Sequence, residues 1–274
     1  MLIAIIFMLA ATGLLVLLII LSTVFGKGMP ALSLGFLTEP SSDFGAEGGV
    51  FYQIIGTLIL TVGALAIALP LAVGTTLFQT ECLRSHRLKA AFRAVIYSLN
   101  AMPTILFGLA GYVLFGVYLG AGVSWLTGAL ILGIMILPTI QASIQEAVEG
   151  LPEKYRETGT SLGMTPWALA QNVVLPLCWH GAVTGGLLGL ARAAGETAAI
   201  MFTAAAFSGA TFPQSFKDPV PTLQTHILVL AQDASQASSL TNAWGAASVL
   251  LLMVFLLILF SLWVRNQFSM EAQR

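Results

Sequence analysis

Six stretches of the chain are apolar over lengths that match the width of a lipid bilayer, and this pattern restricts the possible folds most. An α-helix needs about 20 consecutive apolar residues to cross the hydrocarbon core. Because backbone polar groups find no water in lipid, such stretches are expected to be helical. The predicted spans cover residues 2–25, 52–79, 94–119, 124–146, 180–207 and 244–264. The sequence therefore predicts an all-α integral membrane protein, with residues 1–274 forming one transmembrane domain of six helices.

The composition agrees with a membrane protein and excludes several other classes. Hydrophobic residues make up 57% of the chain and charged residues only 8%, whereas a soluble domain has about 25% charged residues. A formal net charge of −1 gives no indication of a nucleic-acid partner. The phosphate-binding loop Gly-x-x-x-x-Gly-Lys-Ser/Thr does not occur in the sequence. We therefore expect a transporter subunit without enzymatic activity, cofactor or metal.

The distribution of lysine and arginine orients the predicted spans. Positive residues accumulate in cytoplasmic loops of membrane proteins. With both termini in the cytoplasm, only Lys27 and Lys217 lie outside, and Arg192 lies within a span. The other basic residues are then cytoplasmic: Arg84, Arg87, Lys89, Arg93, Lys154, Arg156, Arg265 and Arg274. This orientation also makes 147–179 the longest cytoplasmic loop.

The 147–179 loop contains its own helix signals. Thr165 is a favourable N-cap, and Pro166 suits the first position of a helix. We expect that helix to run from Trp167 to Val174, because Pro176 would end or kink it. The loop is therefore predicted to form two short helices along the membrane surface. From the residues alone, a generic interfacial hairpin remains an alternative.

The same loop resembles the EAA loop of ABC importer permeases. Glu157 is followed at the expected spacing by Gly163, and Pro176 ends the motif. The loop departs from the family at Thr158-Gly159, where two alanines are usual. The resemblance implies that the loop docks on a separate ATPase subunit. The implied coupling residues are Tyr155, Arg156, Glu157, Gly163 and Pro176.

Three further stretches resemble the PstA-type permeases of phosphate importers, which have a type I (MetI-like) ABC importer permease fold. They read GGVFYQIIGTLILT, AMPTILFGLAGY and ARAAGETA. The resemblance implies a bacterial or archaeal plasma membrane location. The implied partners are a second, PstC-type permease, an ATPase homodimer and a periplasmic or extracellular phosphate-binding protein. The chain departs from the family after Pro138, where no basic residue follows. Alternatives are a permease for sulfate, molybdate or tungstate, and a stand-alone secondary transporter.

The stretch ARAAGETA places two charged residues inside the fifth predicted span. On a continuous helix Arg192 and Glu196 would share one face with Gly185 and Gly189. Such small residues four apart mark close helix contacts in membranes. A charge within a span is costly, and arginine suits an oxyanion because its planar fork donates two parallel hydrogen bonds. We therefore predict that Arg192, Glu196 and Thr197 line the substrate pathway, with Glu196 positioning Arg192. An internal ion pair that fixes the packing is the alternative.

Overall fold

The computed structural model describes residues 2–206, 212–232 and 237–271, and helices dominate these ranges. Five helical segments in them are long and apolar enough to cross a membrane, or six if one strongly bent pair counts as a span. The helices are α1 Leu2–Gly28, α2 Leu34–Thr38, α3 Phe51–Leu77, α4 His86–Ala101, α5 Thr104–Gly111, α6 Trp125–Glu149, α7 Glu153–Ser161, α8 Pro166–Leu169, α9 Leu175–Ala194, α10 Ala198–Thr203, α11 Leu223–Gln232 and α12 Ala237–Glu271.

Shorter elements connect or extend these helices. Strands β1 (Ser41–Ser42) and β2 (Glu47–Gly48) form a small antiparallel hairpin. Single π-helical turns continue three of the helices; they span Phe78–Cys82, Tyr112–Tyr118 and Ala170–Val174. The chain divides into two compact units. One comprises Met1–Gly56, Ala206–Phe212 and Pro221–Leu252; the other comprises Thr57–Ala205, Pro213–Val220 and Met253–Arg274.

In the first unit, the end of α1 packs against α12. The hydroxyl of Ser248 donates to the backbone carbonyl of Val24 at 3.1 Å, and the Lys27 ammonium lies 4.9 Å from the centre of the Trp244 ring. The apolar side chains between Ile6 and Ile20 are exposed instead. Such an apolar surface fits a segment whose solvent is lipid.

The hairpin is tied to α12 and lies beside α11 in the same unit. The Asn242 amide donates to the carbonyls of Gly45 and Ala46, at 3.1 and 2.9 Å. The Gln53 amide nitrogen lies 3.5 Å from Nδ1 of His226. Burial lowers the pKa of His226 to about 4. His226, which lies on α11, is therefore neutral at pH 7.

In the second unit, α6 and α9 form the centre of the core. Gly181, Gly185 and Gly189 face α6, and a Cβ at Gly185 would lie 2.8 Å from the Ile140 carbonyl oxygen. At Gly181 and Gly185 a larger side chain would press on the backbone of α6, so these glycines allow the two helices to approach closely. The predicted use of small residues for close helix contact is therefore confirmed.

The predicted span 94–119 is wrong as a single helix. α4 ends at Ala101, α5 begins at Thr104, and the two axes differ by 101°. Pro103 has no backbone N–H and disfavours a helical conformation at the preceding residue. Met102 is accordingly extended, with φ −74° and ψ 132°. α4 begins at His86, within the segment expected to be a cytoplasmic loop.

The predicted span 180–207 is also divided, and residues 207–211 lie outside the described residues. α9 ends at Ala194, and Gly195 adopts the C-cap position before α10 starts at Ala198. At its other end α9 is continuous with α8 through the π-helical turn Ala170–Val174. The expectation that the helix from Trp167 ends at Val174 is therefore wrong, because the chain continues through Pro176 as a helix. The wider hydrogen-bond pattern of a π turn precedes the proline, which lies in the first turn of α9.

Candidate substrate pathway and coupling loop

Arg192 lies near the C-terminal end of α9, where it contacts α4 and α6. Its Nη1 donates to Oδ1 of Asn100 at 3.1 Å and to Oγ1 of Thr139 at 2.7 Å. Both partners are neutral, so neither compensates the guanidinium charge. Among the described residues, Arg93 and Arg156 form ion pairs with carboxylates and Arg192 forms none. The charge of Arg192 is therefore held in place without being neutralised.

The hydrogen bonds of Arg192 use one nitrogen of its guanidinium group. An arginine has five N–H donors, and Nη1 supplies two of them. The three donors on Nε and Nη2 have no hydrogen-bond partner in the described part of the chain. That edge of the guanidinium is the fork that binds a carboxylate or phosphate through two parallel hydrogen bonds. The arrangement is chemically suited to an oxyanion.

The predicted pairing of Glu196 with Arg192 is wrong. Oε1 of Glu196 accepts hydrogen bonds from the backbone N–H groups of Ala198 and Ala199, at 3.0 and 3.3 Å. The helix break at Gly195 removes the spacing of four residues on one helix that would bring both side chains to one face. Glu196 therefore caps the start of α10 and does not position Arg192. Thr197 is the N-cap residue of α10 and is half-buried.

Arg156 of the coupling loop forms hydrogen bonds with residues at the end of α3, on α6 and on α7. Its Nε and Nη2 donate to the Glu81 carboxylate at 3.2 Å, and Nη2 also donates to the Val148 carbonyl at 3.0 Å. Nη1 pairs with the exposed Glu153 at 3.0 Å. The side chain of Glu81 is only 5% exposed and that of Arg156 is 20% exposed. This ion pair ties α7 to the end of α3 and to α6.

Two opposing effects act on the pKa of Arg156. Burial lowers it, but the hydrogen bond and charge of Glu81, reinforced by Glu153, raise it overall. Arg156 is therefore charged at any physiological pH. Its predicted role changes accordingly, from a surface contact to an internal link between the loop and the spans.

A Schellman motif at Gly163 closes the first helix of the loop. The N–H of Gly163 donates to the Thr160 carbonyl at 2.9 Å, and the N–H of Met164 donates to the Gly159 carbonyl at 3.1 Å. This motif needs a residue with positive φ after the helix, and Gly163 has φ +78°. The loop then reverses into α8, where Thr165 accepts from the N–H of Ala168 at 3.3 Å. The predicted N-cap at Thr165 and the helix start at Pro166 are confirmed.

Gly159 stands where the EAA motif usually has an alanine, and its surroundings in the structure explain the glycine. Gly159 is buried, and a Cβ there would collide with Cδ1 of Leu169. The glycine therefore leaves room for the Leu169 side chain of α8 against α7. Outside this contact the loop is open, since Tyr155 is 46% exposed, Leu162 73% and Trp167 52%. The predicted coupling residues Glu157, Gly163 and Pro176 are exposed as well.

The sequence prediction missed three residues of these sites: Asn100, Thr139 and Glu81. Glu81 could have been found, because it is a lone acid at the end of a span beside a basic segment. Asn100 precedes the Pro103 break, and its place next to Arg192 depends on the packing of α4 against α6. Thr139 had no signal beyond its position after Pro138. The described residues contain no group of three or more His, Cys, Asp or Glu that could hold a metal ion.

Comparison with known proteins gives consistent matches. Residues 73–271 match the family described as "Binding-protein-dependent transport system inner membrane component". The chain is 34% identical over 242 residues to the probable phosphate transport system permease protein PstA of Methanocaldococcus jannaschii, with 87% of this chain and 83% of the relative covered. It is 32% identical over 239 residues to the phosphate transport system permease protein PstA of Xylella fastidiosa, with 86% and 82% covered.

A solved structure supports the same fold. A chain from a bacterial ABC transporter involved in the import of the acidic polysaccharide alginate superposes with a TM-score of 0.70, covering 96% of this chain and 95% of its own. Its sequence is only 14% identical, so the likeness concerns the fold alone. The predicted all-α fold of an ABC importer permease is confirmed. Because the family match extends over well more than half of the sequence, the chain belongs to the inner membrane components of binding-protein-dependent transport systems.

Proposed function

We propose that this protein is the permease subunit of an ATP-driven phosphate importer. It forms the translocation pathway and transmits the action of a separate ATPase subunit. The observation that carries the proposal is Arg192, whose guanidinium is fixed by neutral partners and keeps one bidentate edge available. The relatives named as phosphate permeases support phosphate as the anion.

The energetics favour a role in transport for Arg192 over a role in packing. An arginine charge inside a membrane span is costly, and at the bilayer centre the cost reaches about 2.5–3.5 kcal/mol on the most lenient scale. The glycine stripe of α9 contacts α6 without help from that charge. A permeating oxyanion would compensate the charge only while it passes, which suits a site that must release its substrate. Glu196 and Thr197 remain proposed pathway residues because they are half-buried at the break that follows Arg192.

The family implies an ATPase and a solute-binding protein as partners. We propose in addition that the ATPase is a homodimer, that the second permease is PstC-type and that the binding protein carries phosphate. The exposed face of the loop, with Tyr155 and Glu157, is the proposed ATPase contact. An apolar cleft of about 540 Å³ runs beside it, lined by Pro152, Lys154, Tyr155, Thr158, Gly159, Leu162, Met164 and Val173.

The proposed orientation places both termini and the 147–179 loop in the cytoplasm of a bacterial or archaeal cell. It rests on the bias of lysine and arginine toward one side of the spans. It also brings the Schellman turn at Gly163 to the side where ATP is available.

Uptake by the reconstituted transporter tests the proposed substrate. The complete complex in proteoliposomes, supplied with ATP inside and its own binding protein outside, is expected to accumulate labelled phosphate. Sulfate, molybdate and tungstate are expected neither to accumulate nor to compete. ATP-dependent accumulation of another oxyanion in place of phosphate would contradict the substrate. Accumulation that needs an ion gradient but no ATP would contradict the importer class.

A substitution at Gly163 tests the coupling role of the loop. Valine is β-branched and disfavours the positive φ that Gly163 adopts, so Gly163→Val should open the Schellman turn at a cost above about 1–2 kcal/mol. We expect phosphate uptake and substrate-stimulated ATP hydrolysis to fall together by about tenfold or more. Gly163→Asn is the matched control, because asparagine tolerates this conformation and a Cβ there meets no atom within 4 Å. Normal coupled activity in the valine variant, inserted at wild-type levels, would argue against the role.

A further inference from the structure

Two buried glutamines outside the Arg192 site have polar atoms without partners. Gln79 is 8% exposed and Gln141 is 2% exposed. Among the described residues, Nε2 of Gln79 and Oε1 of Gln141 form no hydrogen bond. A buried polar atom left unpaired costs about 1–3 kcal/mol, so such atoms are rare and need an explanation. One is a donor and the other an acceptor.

Both glutamines line the same small cavity in the second unit. The cavity has a volume of about 60 Å³ and is bounded by the turn after α3, by α4 and by α6. One water needs only about 10–15 Å³ of such volume, so there is room for a small polyatomic ion. Its lining residues are Gln79, Arg93, Ile96, Tyr97, Gln141, Ala142 and Gln145.

Arg93 supplies a positive charge at this cavity. Its nearest carboxylate is Glu149 at 3.8 Å, and both side chains are more than half exposed. An exposed ion pair of this kind contributes about 0–1 kcal/mol. The pairing is therefore weak enough for Arg93 to turn toward an anion in the cavity.

The cavity lies along the same pair of helices as the Arg192 site. Asn100 and Arg93 are both on α4 and seven residues apart, which corresponds to about 10 Å along the helix. On α6, Thr139 is followed by Gln141 and Gln145 toward the helix end that leads into the coupling loop. The cavity also adjoins a charged cleft of about 420 Å³, to which Gln79, Arg93 and Gln145 contribute as well.

We infer that this cavity is an inner anion site that selects a protonated oxyanion. The inference rests on the proposed function and specifies its substrate. The Gln79 amide would donate to an anionic oxygen, and the carbonyl oxygen of Gln141 would accept from a P–OH group. At neutral pH inorganic phosphate retains at least one such hydroxyl, whereas sulfate is fully deprotonated. A site built to accept a hydrogen bond from the ligand discriminates strongly against an analogue that lacks the donor.

Equilibrium binding of inorganic phosphate to the detergent-solubilised permease complex tests this inference. The measurement uses the Arg192→Ala variant, which removes the first anion contact and leaves the inner cavity intact. We expect labelled phosphate to bind in the millimolar range or tighter, and unlabelled phosphate but not sulfate to displace it. Adding Gln141→Met, which keeps the length but removes the acceptor, should weaken phosphate binding about tenfold.

Two further variants keep the result interpretable. Gln79→Met in the same background removes the unpaired donor and should also weaken binding. Ser143→Ala is the matched control, because it removes a polar group of α6 that bonds to the Gly181 carbonyl outside this cavity. Phosphate binding that is unchanged by both glutamine variants, or that sulfate displaces equally, would overturn the inference. The inference would also be overturned if the wild-type complex binds phosphate and the Arg192→Ala complex binds none. Failure of phosphate uptake by the wild-type complex would instead overturn the proposed function.

Discussion

Replacing Glu81 by alanine is expected to uncouple ATP hydrolysis from transport. Arg156 would keep its charge at 20% exposure without its main partner. Removing one member of a buried ion pair typically costs about 3–5 kcal/mol. α7 would lose its tie to the end of α3, so movement of the loop would no longer reach the spans. We expect phosphate uptake to fall at least tenfold, while basal ATP hydrolysis by the complex persists.

The exposed contact between Arg156 and Glu153 provides the control for Glu81→Ala. Glu153 also contacts Arg156, but its side chain is 69% exposed. Such a contact is worth less than about 1 kcal/mol, so Glu153→Ala should leave uptake near the wild-type level. Arg156→Lys should resemble Glu81→Ala, because an ammonium cannot reproduce the bidentate contact with Glu81. Equal effects of Glu81→Ala and Glu153→Ala would contradict a specific internal tie.

Replacing Arg192 by alanine is expected to abolish phosphate uptake and leave assembly intact. The substitution removes donors that we assign to the permeating anion, and charge-assisted hydrogen bonds contribute about 1.5–3 kcal/mol each. Two such bonds correspond to a loss of at least about 100-fold in uptake. The glycine contacts between α9 and α6 do not involve the guanidinium, so subunit levels should be normal on immunoblots.

The Arg192→Lys variant tests whether a positive charge is enough for uptake or whether the planar guanidinium is needed. Lysine keeps the positive charge but presents a point charge in place of a planar fork. We expect uptake below about one tenth of the wild-type rate. Full activity in the lysine variant would show that a positive charge suffices and would contradict bidentate recognition.

The sequence predicted the parts of this fold that depend on local composition. Apolar length located four of the six spans as unbroken helices, the glycine stripe indicated a close helix contact, and Thr165-Pro166 identified a helix start. Each of these signals acts through residues close together in the chain. The position of Arg192 within a span could be predicted for the same reason.

The sequence did not reveal where two helices break. Gly195 and Pro103 were visible, but glycine and proline both occur inside membrane helices, as Pro70 and Pro138 do here. At Gly195 the outcome was decided by Glu196, whose carboxylate satisfies the N–H groups that open α10. At Pro103 the missing N–H and the extended Met102 break the helix, and α4 packs against α6. The capping contact of Glu196 is local, two to three residues along the chain, whereas the packing of α4 against α6 is a tertiary effect that no window of sequence contains.

The partner of each charge was unpredictable for a related reason. The spacing of four residues suggested that Arg192 pairs with Glu196, and this holds only on an unbroken helix. Glu81 and Arg156 are 75 residues apart in sequence and meet because α7 folds back under α3. Without Glu196 as its partner, Arg192 keeps a positive charge that no side chain among the described residues neutralises.

Phosphate uptake by the variant Asn100→Asp tests whether the positive charge of Arg192 must stay unpaired for transport. The substitution is isosteric and places a carboxylate where Oδ1 already accepts from Arg192 at 3.1 Å. If the unpaired charge of Arg192 serves the anion, the new ion pair should reduce uptake at least about tenfold, with normal subunit levels and basal ATP hydrolysis. If Arg192 only stabilises the helix packing, the stronger contact should preserve uptake, and a fully active Asn100→Asp transporter would contradict the account.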